Sequence, residues 1–142
     1  MSERAEPRVR LFQQLADPAR HAELEGMYAP SLAALVETLA EGTSLAWVED
    51  APAPAGSLVM HLVRRLPAPS SPSGREGYVV HVFVEPERRG MGLGAALVAA
   101  AEVAGRERGL SRIRLHSSDL AVEFYRRAGY TPRTNDFERF LR

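Results

Sequence analysis

One stretch, from Val84 to Gly109, constrains this chain more than any other. Residues 78–84 are apolar and rich in valine, which suits a strand, and Pro86 ends that strand because it has no N–H to give a ladder. Arg88 and Arg89 follow, then glycines at 90, 92 and 94, and from Gly92 an apolar pattern of helical period runs to about Arg108, with Gly109 as its cap. The first turn of a helix leaves N–H groups without partners and carries the positive end of the macrodipole. A phosphate docked there collects several charge-assisted hydrogen bonds. Glycine permits positive φ and close approach, and an arginine can add a forked donor. Strand, basic glycine turn and helix start together make an anion cradle.

Two familiar phosphate loops fit poorly. A P-loop requires Lys-Ser/Thr after its last glycine, where this chain has Ala95-Ala96. A dinucleotide fingerprint reads Gly-x-Gly-x-x-Gly, whereas here the glycines alternate, and no acidic residue closes a second strand about 20 residues on. Arg89-Gly90-Met91-Gly92-Leu93-Gly94 instead resembles the Gln/Arg-x-x-Gly-x-Gly/Ala pyrophosphate motif of the GNAT superfamily of acyl-CoA-dependent N-acetyltransferases. Val84-x-Pro86 and Phe124-Tyr125-Arg126-Arg127-Ala128-Gly129-Tyr130 are similar to two further landmarks of that family, in its order and spacing, over residues 77–131.

The resemblance implies an α/β (α+β) fold: a mixed, mostly antiparallel central sheet with splayed parallel middle strands and helices on both faces. It implies transfer of an acetyl group from acetyl-CoA to a primary amine, small molecule or peptide, by direct attack in a ternary complex. A non-catalytic acyl-CoA-binding module of the same fold is the alternative. In such proteins the backbone of Val82, Phe83 and Val84 would pair with the pantetheine arm. Arg88, Arg89, Gly90, Met91, Gly92, Leu93, Gly94 and Ala95 would hold the pyrophosphate. Ser118 stands seven residues before Tyr125, where the family often has an Asn that touches the cofactor arm. Ser keeps the donor and acceptor with a shorter reach.

Tyr125 is the candidate acid for the departing thiolate, since a phenol of pKa about 10 can protonate a thiolate whose acid lies near about 8.5 at close contact. Candidates for the base are His81, before the cradle, and His116, at the end of the next strand, because imidazole takes protons near neutrality. Glu85 is a third, a water chain serves in many enzymes of this kind, and His61 could face the acceptor.

At 142 residues with formal net charge zero, the chain reads as one domain over 1–142, with nothing that favours nucleic acid or an anionic membrane. No apolar run approaches the roughly 18 residues of a membrane span, the N-terminus lacks a signal-peptide core, and a cytoplasmic protein is the expectation. Cysteine is absent and the four histidines lack ligand spacing, so no disulfide or metal site is expected. His116-Ser117-Ser118-Asp119 is no hydrolase triad, because the chain has no Gly-x-Ser-x-Gly elbow. Pairing into a homodimer is left open.

The remaining elements follow from local signals. Residues 9–12 read as a strand or helix start, and Asp17-Pro18 as the start of a helix. Pro30-Ser31 begins another helix, with Gly42 past its end. Strands are expected over 44–49 and 58–66 as an antiparallel hairpin turning at 52–56, with a surface loop near the acceptor over 67–77. The cradle helix should bury Leu93, Leu97, Ala100 and Ala104 and expose a Glu102–Arg106 pair. Residues 112–116 should lie parallel to 78–84, since a helix connects them. Asp119 should cap a short helix ending at Gly129, and 130–133 and 135–141 should close the sheet as two strands.

Overall fold

Leu58, Met60 and Leu62 alternate along one central strand, which gives the sheet an apolar face to bury. The computed structural model describes residues 26–49, 55–133 and 135–142. Helix α1 (Tyr28–Glu41) leads into strands β1 (Ser44–Glu49), β2 (Gly56–Arg64) and β3 (Arg75–Val84). Helix α2 (Leu93–Glu107), strand β4 (Arg112–Leu115) and helix α3 (Val122–Arg127) follow, with single 3-10 turns at Pro86–Arg88 and Asp119–Ala121. The strands lie in the order β1-β2-β3-β4, antiparallel except for the β3–β4 pair, as a mostly antiparallel sheet with an α2 crossover requires.

Leu58, Met60 and Val79 from the sheet meet Leu97, Val98 and Ala101 from α2 in the core, with Trp47, Ile113, Leu115 and Phe124 packed around them. The buried stripe of α2 is Leu97, Val98, Ala101 and Gly105, rotated about one position from the expected one, so Ala100 and Ala104 are only half-buried. Glu102 forms no ion pair with Arg106 within 4 Å; it turns to the Tyr130 hydroxyl. Helix α1 begins two residues before Pro30, which sits harmlessly in the first turn because its missing N–H would have had no helical partner there.

Three expectations need correction. The β2–β3 connection is shorter than 67–77 and lies at the end of the sheet away from the glycine turn. The Arg65 N–H bonds the Gly74 carbonyl at 2.6 Å and Ala68 bridges Ser71, so the chain turns back at once and Gly77 already lies in β3. The 10 residues of β3, at about 3.3 Å each, separate this turn from the glycine loop by about 30 Å. Asp119 does not cap with its side chain: Ser118 holds the cap position of the 3-10 turn. The segments over 130–133 and 135–141 form no strand among the described residues, so β4 is the outer strand there. The expectations at 9–12, Asp17-Pro18 and most of the 52–56 turn fall outside the described residues.

At the far end of the sheet Glu76 is buried and bonded by Arg112 Nε at 2.7 Å, with Arg65 at 3.8 Å. Burial raises its carboxyl, but Ser71, Arg112 and Arg65 together outweigh that and hold it below the usual value. A depressed acid adds stability above its unfolded pKa and loses it as pH falls through the folded one. Arg112→Ala leaves the buried carboxylate poorly paired and is expected to cost about 3 kcal/mol at pH 7 in urea unfolding. The loss should shrink below about pH 4, where the acid is protonated in either state. A pH-independent cost would exclude the charge from the effect.

Candidate acyl-CoA site

The parallel ladder is short. It joins Glu76 to Arg112 through to Val79 and Leu115, and there it stops, while β3 runs on to Val84. The register between β2 and β3 shifts at Val59/Met60, opposite the place where β3 leaves β4. Such an irregularity bends and twists a strand locally. Alternation then fixes which groups face the gap. The Leu62 N–H turns to Thr43 of the β1 side and the Glu85 N–H to Ala55, both near 2.8 Å. Residues 81, 83 and 85 therefore point their backbone groups toward β2, and Val82 and Val84 point theirs the other way. Past Val79 there is no β4 residue to receive them.

The amides of the glycine turn are also available. Gly90 and Gly92 have φ of 78° and 82°, and a Cβ at either would meet nothing within 4 Å. The first helical bond runs from Ala96 to the Gly92 carbonyl at 3.0 Å, and no side chain caps the helix. Among the described residues, the N–H groups of Gly90, Met91, Gly92, Leu93, Gly94 and Ala95 thus have no partner. An exposed row of amides with two left-handed glycines and a helix N-terminus fits a diphosphate. Gly94 serves differently: the Phe124 ring packs over it, 3.4 Å from where a Cβ would sit. That contact holds α3 against the start of α2, and Val84 lies beside it.

The two arginines are not equivalent. Arg89 Nε donates to the Val84 carbonyl at 2.9 Å and its guanidinium lies 5.8 Å from the Phe83 ring centre, so it braces the end of β3. Of the three backbone residues expected to meet the pantetheine arm, Phe83 points its backbone to β2 and Val84 offers a carbonyl already engaged; Val82 has both groups turned to the gap. Arg88 is half-buried and forms no ion pair with a described residue.

Tyr125 is half-buried on α3, edge-on to Phe124 at 5.0 Å and to Tyr130 at 5.8 Å. Its hydroxyl bonds no described residue, and burial raises its pKa above the ordinary value. Ser118 is half-buried before α3; its carbonyl receives Ser117 Oγ at 2.7 Å and the Ala121 N–H at 3.0 Å. His81 is buried, one residue before Val82, and its Nε2 lies 2.8 Å from Ser57 Oγ. His116 is exposed just past β4, and Glu85 follows Val84 half-buried. His61 lies away from the gap, with Nδ1 2.5 Å from Ser44 Oγ. Sequence reasoning missed Ser57 and Phe124. A serine in a strand carries no signal of its partner, but three alternate glycines with one inside the helix could have pointed to a close helix contact. Among the described residues no group of three or more His, Asp or Glu side chains is arranged to hold a metal, and no helix is long and apolar enough to cross a membrane.

These features define a class of protein: an α/β domain that opens a parallel strand pair beside a glycine-rich helix start with free amides. Residues 8–130 match the model of the acetyltransferase (GNAT) family, and the chain belongs to that family. A GCN5-related N-acetyltransferase from Ralstonia eutropha is 28% identical, with a TM-score of 0.85 over 96% of this chain and 89% of that one. A predicted acetyltransferase with acetyl-CoA from Clostridium acetobutylicum is 21% identical, with a TM-score of 0.75 over 81% of this chain and 75% of that one. Glucosamine-6-phosphate N-acetyltransferase from Arabidopsis thaliana is 17% identical, with a TM-score of 0.66 over 81% of this chain and 79% of that one. No curated relative matches at the sequence level. The family uses acetyl-CoA, and the loop amides of 90–95 fit its diphosphate.

Gly92→Asp places a Cβ at φ 82° and a carboxylate among those amides. Coenzyme A affinity is expected to fall tenfold or more, about 1.4 kcal/mol at least, by titration calorimetry. Unchanged affinity would show that the loop does not carry the diphosphate.

Proposed function

We propose that this protein transfers the acetyl group of acetyl-CoA directly to a primary amine within a ternary complex. The observation that carries the reading is the coincidence of unpartnered loop amides over 90–95 with the outward-turned backbone of Val82, where β3 outruns β4. Acetyl-CoA supplies an acyl thioester whose sulfur departs as a thiolate. The loop amides and Arg88 bind the diphosphate. The backbone of Val82 holds the pantetheine arm as an added strand would, which fixes the thioester and removes the entropy of search. Among the described residues no activated nucleophile supports a covalent route.

His81 takes the proton from the attacking amine, and Ser57 fixes its ring. Its position one residue before Val82 supports it over His116, which lies exposed beyond β4. Tyr125 gives a proton to the departing sulfur. A phenol at its ordinary pKa is about 1.5 units less acidic than a thiol, an uphill transfer of about 2 kcal/mol, and burial of Tyr125 widens that difference. The same desolvation makes the thiolate more basic and narrows it again. Because burial shifts the phenol upward, it keeps its proton past about pH 10, so it does not set an alkaline limb at lower pH.

A screen of small amines and peptide N-termini with thiol detection tests the whole reading: acceptor-dependent thiol release is expected. Coenzyme binding without turnover on any amine would favour a binding module. Tyr125→Phe should lower kcat about 10²-fold with coenzyme affinity unchanged. His81→Gln should lower kcat by a similar factor and flatten the acid limb of kcat/KM, while His116→Gln stays near wild type. Reversal of the two histidine results would move the base to His116.

A further inference from the structure

At the end of the sheet away from the glycine turn, the two faces treat their arginines differently. On one face Arg65 and Arg112 share the buried carboxylate of Glu76, at 3.8 and 2.7 Å. On the other, Arg64 and Arg75 stand directly opposite each other across the β2–β3 ladder. Alternation from Leu58, Met60 and Leu62 puts that pair on the α2 side of the sheet. Arg108, the C-cap of α2, joins them around a cavity of about 540 Å³ that Leu62 and Leu110 also line.

Like charges directly opposite one another on a sheet repel. Among the described residues no acid lines the cavity, and none of the three arginines forms an ion pair. Glu41 and Glu107 lie next to Gly42 and Arg108 along the chain, yet neither comes within 4 Å of a described arginine. The carboxyl end of α2 offers roughly half a negative charge. Its carbonyls are also engaged, since Gly109 N–H bonds Arg106 and Leu110 N–H bonds Gly105, at 3.1 and 2.9 Å. That end cannot balance three guanidinium groups.

We infer that this cavity binds a small polyanion, a molecule carrying two or more carboxylate or phosphate groups. Guanidinium forks pair with either oxyanion through two parallel hydrogen bonds. Leu62 and Leu110 receive the apolar body of the ligand, and the volume falls within the range of about 300–1,000 Å³ usual for small-molecule sites. Three cations around one cavity, in a chain of formal net charge zero, fit a small ligand better than a nucleic acid or a membrane. Arg75 opens β3 and Val84 closes it, so the cavity lies about 30 Å from the glycine turn and is a second site. An occupant relieves the repulsion between Arg64 and Arg75. Nothing in this depends on the acetyl-transfer reading.

Citrate and pyrophosphate are the probes, one for each kind of oxyanion. In heteronuclear NMR of the full chain, at least one of them should shift the Thr43 and Leu110 amides saturably, whatever it does at Gly90 and Gly92. Arg64→Gln and Arg75→Gln should each lower that affinity tenfold or more. Without anion both variants should melt no lower than the wild type, because each removes a like-charged neighbour. At about a hundred times Kd the probe should raise the wild-type Tm by about 5 °C or more, and the variants by less. An anion that binds wild type and variants alike, or that shifts the glycine-turn amides only, overturns the inference. So does a lower Tm of both variants without anion, which would make the arginines structural. Absence of saturable binding by both probes overturns it as well, even if heparin is retained, since that marks an open polyelectrolyte surface.

Discussion

Everything at the candidate site depends on β3 being longer than the strand beside it. Four residues of β4 pair with β3, and that ladder ends at Val79 while the pairing with β2 continues to Val84. A parallel ladder carried to Val84 would turn the groups of Val82 into the sheet and leave no gap for an extended ligand. The register shift at Val59/Met60 coincides with the end of the ladder, so the bend of β3 and the loss of its neighbour are one event in the backbone. Two contacts then hold the gap open at its far end. Arg89 ties the Val84 carbonyl, and Phe124 wedges against Gly94, so the tip of β3, the start of α2 and helix α3 are fixed to one another.

The face of the sheet away from α2 shows how polar groups are accommodated beside that gap. Ser44 with His61 and Ser57 with His81 form two hydroxyl–imidazole pairs at 2.5 and 2.8 Å, each joining a residue of β2 to one of the strands beside it. Buried polar groups persist only when bonded, and each pair satisfies one ring nitrogen within the sheet itself. The Glu76–Arg112 pair does the same for charge at the opposite end. It clamps the first rung of the β3–β4 ladder, Glu76 to Arg112, while the last rung is left to diverge. The two strands are thus locked where no ligand is needed and free where one would enter.

Much of this was legible in the sequence because it rests on local rules. The Val84–Pro86 stop, the glycine turn, the helix to Glu107 and strand β1 from Ser44 to Glu49 each follow from φ restrictions or short-range alternation. The rotation of the α2 stripe was not legible, since a helix made largely of alanine gives periodicity little contrast, and Gly105 is buried because Leu110 and Ile113 pack on it. Nor was the role of Arg89, because a motif specifies residue types while the partner of a guanidinium depends on where the strand tip lies. The closing strands failed for a further reason: alternation over 135–141 is a local signal, and it does not say whether a segment finds an edge to pair with.

The adjacent phenols of α3 show how the fold sorts chemically identical groups. Tyr125 and Tyr130 are edge-on at 5.8 Å, both half-buried and both raised in pKa mainly by burial. Tyr130 also faces the Glu102 carboxylate, which accepts its hydrogen bond and opposes its ionisation, so its proton is committed to α2. Tyr125 has no such acceptor among the described residues, and its shift comes from desolvation alone. A hydroxyl that is to meet a developing negative charge gains from having no standing acceptor, because such an acceptor would compete with the transition state for the same proton. The unequal fates of these two hydroxyls, more than either motif, favour Tyr125 over Tyr130 as the phenol of the proposed proton transfer.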